Sequence, residues 1–209
     1  MSCEQAPRRQ ASKSAAVKAR ICDAVVACLV DAGYADTSIN RVVELAGVSK
    51  GALQHHFRSK EDLMSATALH LLANASFLQL RSTRQPSAER SIARELQRTW
   101  QRGANTAEFR ALLEILIRMR TDDALRQRLA PALADWHRQA MAINRAGYSG
   151  RSGGEEDVEL LMALNACVIR GLVIQQQYTD DQGYLDRLMG RWIALVTPLL
   201  VPRDGNTPG

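Results

Sequence analysis

Residues 37–63 read TSINRVVELAGVSKGALQHHFRSKEDL. Two short apolar-periodic stretches stand here, each behind a hydroxyl residue, with a glycine between them. Thr37 and Ser38 offer N-cap hydroxyls to a helix whose inward positions are Ile39, Val42, Val43 and Ala46. Gly47 ends that helix, Val48 plugs inward, Ser49 caps again, and a second short helix runs through Leu53 to Phe57. Ser59 then caps a longer helix, with Glu61 and Asp62 set against its positive end. These lengths and the glycine turn are those of a helix-turn-helix, whose second helix enters the major groove of DNA. Leu53 and Phe57 use up the inner side of that helix, so Ser49, Lys50, Ala52, Gln54, His55 and His56 point partly or wholly outward. Lys50 can reach guanine O6/N7, the Gln54 amide can pair with adenine, and Ala52 can touch a thymine methyl. Ser49 lies where free backbone N–H groups favour a phosphate oxygen. Neighbouring residues diverge by about 100° on a helix, so His55 and His56 are poorly placed to share a metal ion. The pair instead suggests a pH dependence of DNA affinity near about 6.5.

Upstream, Ile21, Ala24, Val25, Cys28 and Leu29 form one helical stripe, which Gly33 is expected to stop as a left-handed C′ residue. The polar, basic residues 1–14 have no face to bury and read as a flexible arm. Downstream, helices are expected over about 60–82, 88–103, 106–120, 123–146, 156–179 and 183–200, with joints at Pro86, Asp122–Asp123, 147–154 and Gly183. No sustained alternation of period two occurs, so a sheet is not expected. The chain reads as all-α, with about nine helices. Residues 15–75 form an N-terminal helix-turn-helix domain, its fourth helix bridging from 60. Residues 76–202 form a larger helical domain for ligand binding and dimerisation, and 203–209 a disordered tail.

At 209 residues and 23.1 kDa, with 46% hydrophobic and 23% charged residues, the chain can bury a core and is not a multi-domain machine. The net charge of +5 is unevenly spread: +2 over residues 1–64, +7 over 65–151, and −4 over 152–209. The positive middle is an arginine surface, since lysine occurs only at Lys13, Lys18, Lys50 and Lys60. Cys3, Cys22, Cys28 and Cys167 form no C-x-x-C pair and no zinc spacing, and no secretory signal is visible. They read as reduced thiols of a cytoplasmic protein. The longest apolar run, 160–174, is broken by Asn165 and Arg170, so no membrane span is expected. There is no Ser/His/Asp constellation, metal-spaced cluster or nucleotide loop. Neither enzymatic chemistry nor a cofactor or metal is expected.

The run Gly33-Tyr34, Thr37-Ser38 and 46–63 resembles the N-terminal signature of the TetR family of bacterial repressors, over about fifty residues. The family pattern has an AGVS-x-G-x-L-Y-x-H-F core followed by x-S-K-E-x-L. The resemblance implies that Thr37 or Ser38, Ser49, His56 and Lys60 hold the sugar-phosphate backbone. It implies that Lys50, Ala52, Gln54 and His55 face bases, with Gly51 in the same interface. The chain departs from the pattern at Gln54, where the family usually has a tyrosine that grips a phosphate. A glutamine there can serve a phosphate or a base edge, and both readings stay open.

The resemblance also implies an effector pocket in the helices after the fourth and dimerisation through the last two. Trp100, Met119, Trp136 and Met141 are large side chains that either line such a pocket or pack a core. Glu114, Arg118 and His137 could give it polar selectivity or lie on a solvated face. Apolar residues cover more than half the circumference of the helix near 156–179, more than a monomer surface tolerates. Leu161, Leu164, Val168, Gly171 and Leu172 there, with Leu188, Trp192, Leu195 and Leu199 of the last helix, form the expected interface of a homodimer. Arg90, Arg94, Arg98 and Arg102 make a cationic ridge, read as a solvated helix face, and the Gly/Ser stretch 148–154 reads as a linker. The expected partners are double-stranded DNA carrying a palindromic operator, a small-molecule effector and a second copy of the chain, with no membrane. Weaker alternatives are a DNA-binding scaffold without an effector and an all-helical enzyme.

Overall fold

The computed structural model describes residues 5–74, 91–104, 106–151 and 154–203. In chain order its elements are α1 (Gln5–Asp36), α2 (Ile39–Ala46), α3 (Lys50–His56), α4 (Lys60–Asn74), α5 (Ile92–Thr99), α6 (Ala107–Arg118), α7 (Asp123–Gly147), β1 (Tyr148–Gly150), α8 (Glu155–Gln175), α9 (Gln182–Val196) and β2 (Leu200–Pro202). A π-helical segment, Trp100–Ala104, follows α5, and a 3-10 turn, Thr197–Leu199, follows α9. The all-helical expectation holds. No described helix is long and apolar enough to cross a membrane.

Two corrections follow. The expected arm is helical from Gln5 onward, continuous with α1. Its Ala, Arg and Gln residues are good helix formers, and Pro7 falls in the first turn, where its missing N–H removes no helical bond. The sheet that was not expected exists in small form: β1 pairs antiparallel with β2 in the register Tyr148↔Pro202, Ser149↔Val201, Gly150↔Leu200. Strands of three residues are too short to display alternation. Residues 148–150 are therefore strand rather than linker. A Cβ on Gly150 would lie 2.8 Å from the Asp157 Cβ and 2.9 Å from the Gly154 carbonyl oxygen, which is why glycine stands there. The expected ends of the helices at 82 and 88, Pro86, Arg90 and the tail from 204 lie outside the described residues.

Chain contacts divide the molecule into two units. The first comprises Met1–Asn74 with Ala107–Ala132, that is α1–α4, α6 and the start of α7. Its core joins Ile21, Val25, Cys28 and Leu29 of α1 to Val42, Leu53, Phe57 and Leu63, and to Ala111, Ile115, Leu125 and Leu129. The expected boundary after residue 75 is thus crossed: α6 packs on α1 and α4, because its Phe109, Ala111, Leu112 and Ile115 side is buried there. The second unit comprises Ala75–Thr106 and Leu133–Gly209. In it α5 packs on α9, and α8 on α9, around Leu96, Trp100, Val158, Val173, Leu185 and Met189.

Candidate nucleic-acid interface

The reading head is held by local hydrogen bonds that the sequence dictates. Ser38 caps α2, its Oγ accepting the Arg41 N–H at 3.3 Å. Thr37 does something else: it is 3% exposed, and its hydroxyl donates to the Gly33 carbonyl at 2.7 Å, pinning the entry to α2. Gly33 has φ 74° and ψ 179°, so it breaks α1 with positive φ but extended ψ, and is not the left-handed C′ residue expected. Gly47 is left-handed, at φ 59° and ψ 40°. Its N–H bonds the Glu44 carbonyl and the Val48 N–H bonds the Val43 carbonyl, both at 3.1 Å, which is a Schellman motif. Ser49 caps α3, its Oγ accepting the Ala52 N–H at 3.1 Å. A cap of this kind stabilises by about 1 kcal/mol, a large share for a seven-residue helix.

Leu53 and Phe57 are buried, as the helical spacing requires, while Ser49, Lys50, Gly51, Gln54 and His55 are exposed. Ala52 and His56 are half-buried. Lys50 and Gln54 make no hydrogen bond or ion pair among the described residues, so their polar ends are free to meet a partner. The His55 and His56 rings stand edge to face, 5.2 Å apart. Burial pushes the His56 imidazole below its ordinary pKa, and His55 and Lys18 push it the same way. His56 is therefore neutral at pH 7 and offers one donor and one acceptor.

Lys60, expected at a phosphate, also has partners within the subunit. Its Nζ donates to the carbonyls of Tyr34 at 3.0 Å and Ala35 at 3.3 Å, and lies 5.2 Å from the Tyr34 ring centroid. The Arg118 guanidinium sits 5.6 Å from the same ring, and the Tyr34 N–H donates to Glu114 Oε2 at 3.3 Å. Burial raises the Tyr34 pKa, helped by Asp122 and Glu61 and opposed by Arg118, so the phenol stays neutral. Glu114 and Arg118 thus brace the corner between α1 and α2. Arg20 was not singled out from the sequence at all. Its guanidinium bonds the carbonyls of Ala46 and Gly47, the negative end of α2, and so locks the turn from the side of α1. No sequence signal marks a contact between residues 26 apart.

In the second unit Trp100 is fully buried and its indole N–H donates to Asp186 Oδ1 at 2.7 Å. Trp136 and Met141 are half-buried on α7, whereas Met119 belongs to the first unit. Of the expected dimer residues, Leu164, Leu195 and Leu199 are about half exposed, at 52%, 56% and 47%. Leu161, Val168, Leu188 and Trp192 are half-buried, and Gly171 is exposed, so that a Cβ added to it would meet nothing within 4 Å. Leu172 lies inside the subunit, at 6% exposure.

Residues 21–67 match the family described as bacterial regulatory proteins, tetR family. The chain is 27% identical over 184 residues to the uncharacterized HTH-type transcriptional regulator Rv2912c of Mycobacterium tuberculosis, covering 84% of this chain and 93% of that protein. Among solved structures, a transcriptional regulator from Rhodococcus sp. RHA1 superposes with a TM-score of 0.62 at 19% identity, over 91% of this chain and 99% of that one. A Saccharomonospora viridis protein crystallised with choline gives a TM-score of 0.65 at 18% identity, over 90% and 100%. Those two likenesses establish the shared fold, and the family match falls on the capped helix pair described above. Residues 21–67 thus form a helix-turn-helix domain of the tetR type, and over most of its length the chain is similar to HTH-type transcriptional regulators.

Proposed function

We propose that the protein is a ligand-responsive repressor. It acts as a homodimer whose two α3 helices enter successive major grooves of a palindromic operator, about 34–36 Å apart. The observation that carries this reading is the free outer side of α3, whose N-terminal end is fixed by the Schellman turn at Gly47 and the Ser49 cap. Lys50, Gln54 and His55 face base edges there, with Ala52 and Gly51 allowing close approach. Ser38, Ser49 and His56 hold the sugar-phosphate backbone. Thr37 and Lys60 act one step back, by fixing the entry to α2 and the corner at Tyr34. Phosphate contacts position the head and base contacts give it specificity.

Exposed Leu160, Leu164, Leu195 and Leu199 support pairing through α8 and α9, since isolated large apolar side chains are common on surfaces but a shared stripe is not. The choline bound to the Saccharomonospora relative supports a small-molecule effector as a class. Trp100, Trp136 and Met141 of the second unit are the proposed contacts. An effector that prefers the dimer with the wrong groove spacing weakens operator binding by the same factor, about 1–3 kcal/mol in typical cases. Footprinting of the purified protein on DNA flanking its own gene, with and without candidate metabolites, tests this. A protected palindrome lost on adding one metabolite is expected. Equal protection of every fragment, unchanged by all metabolites, would overturn the reading in favour of a scaffold.

A further inference from the structure

On the second unit, α5, α9 and the β1–β2 pair border an open cavity of about 650 Å³. That is in the range of small organic ligand sites. Its walls are mostly apolar, with Ile92, Ile193, Ala194 and Leu200 among them. Arg151 stands on the same wall and is held at two points. Its backbone N–H donates to the Leu199 carbonyl at 2.9 Å, and its Nε donates to the Pro198 carbonyl at 2.5 Å. The Nη end of the fork, which pairs with carboxylates, makes no hydrogen bond or ion pair among the described residues. An arginine already fixed in this way loses little side-chain freedom on binding. Thr197 also lines the cavity, and its Oγ1 is buried without a hydrogen-bond partner. Ile92 and Ala93 bring the first turn of α5 to the same place, and the N–H groups of a first turn have no acceptor within their helix. Cation and helix start both favour an anionic head, while the walls favour an apolar body.

The cavity is not the surface proposed for dimerisation. At about 100° per residue, Gly190, Ala194 and Thr197 lie on the opposite flank of α9 from Leu188, Trp192, Leu195 and Leu199. Pairing of subunits through the latter leaves the former open.

We propose that this cavity binds a small organic carboxylate with an apolar body, its carboxylate on the Arg151 fork and its chain along Ile193 and Ala194. The site is separate from the effector contacts proposed above. Octanoate, octanol and octylamine, titrated calorimetrically into the full chain, test it. Octanoate is expected to bind saturably and at least tenfold tighter than either of the others. Arg151→Gln should remove that preference. Gly190→Leu should abolish octanoate binding while leaving the melting temperature unchanged or higher, because a Cβ at Gly190 meets nothing within 4 Å and leucine is the better helix former. No saturable octanoate heat, equal affinity for the three probes, or octanoate binding unaltered in Gly190→Leu would each overturn the proposal.

Discussion

Two lysines separated by ten positions illustrate how a residue's role depends on what its neighbours already satisfy. Lys50 is exposed and uncommitted on α3, whereas Lys60 is spent on the carbonyls of Tyr34 and Ala35. From sequence both read as DNA contacts, Lys50 to bases and Lys60 to a phosphate, since both follow a serine cap in a stretch that resembles a DNA-binding signature. The outward side of α3 was legible because Leu53 and Phe57 fix its phase. The fate of Lys60 was not, because it depends on where the chain lies 26 residues earlier. Lys50→Ala should therefore relax base preference at one operator position, at a cost of about 1–3 kcal/mol for the correct base, with stability unchanged. Lys60→Ala should lower the unfolding midpoint and weaken all DNA sequences alike, without reducing the salt slope by the full unit that loss of a phosphate contact gives. Binding isotherms at several salt concentrations, paired with urea unfolding of each variant, distinguish the two. A Lys60→Ala protein of full stability whose slope falls by one unit would return Lys60 to the phosphate.

At the scale of elements, the turn between α2 and α3 determines how the reading helix is aimed. Gly47 is left-handed, its N–H and that of Val48 close the Schellman motif, and Arg20 caps the carbonyls of Ala46 and Gly47 from α1. A side chain at this φ costs about 1–2 kcal/mol. A Cβ at Gly47 would stand 3.4 Å from Arg20 Nη2, in contact with the end of the side chain that caps the turn. Gly47→Ala is thus expected to lower stability by about 1–2 kcal/mol, roughly 2–8 °C in melting temperature for a chain of this size. DNA affinity should fall further than the loss of folded protein explains. Calorimetric melting beside gel-shift titration checks both, and an unchanged melting temperature would remove the strain argument. The glycine and its serine neighbours announced this element from the sequence, since each residue type has one physical reason to be there. The β1–β2 pair and the helical Gln5–Ser12 segment gave no such notice: three-residue strands have no period, and a polar run can be helical when it extends an anchored helix.

For the whole molecule, the question is what the apolar flank of α8 and α9 is for. Leu160, Leu164 and Ile174 on α8, and Leu195 on α9 with Leu199 beyond it, expose between 42% and 56% of their surface. A folded chain that leaves a stripe of this kind to water gives up about 25 cal/mol for each Å² of it, and a second copy related by a two-fold axis recovers that area on both sides. Trp192 adds rigidity behind the stripe, its indole N–H donating to Asn165 Oδ1 at 2.9 Å, so the face is preformed rather than assembled on contact. The stripe was visible in the sequence as apolar residues around most of one helix, but which of them face inward was not: Leu172 proved to be core, because one helix side must pack on α9 before the other can meet a partner. Leu164→Glu with Leu195→Glu puts like charges on the exposed part of the stripe and leaves the core untouched. Sedimentation of this double variant should give a single species near 23.1 kDa where the native protein gives twice that. A palindromic site read by two linked heads gains about 10²–10⁴ in affinity over one head, so operator binding should fall by at least a hundredfold while a half-site is bound as before. A native protein already monomeric at micromolar concentration, or a variant that keeps full operator affinity, would show that the two α3 helices are not held to their spacing by this face.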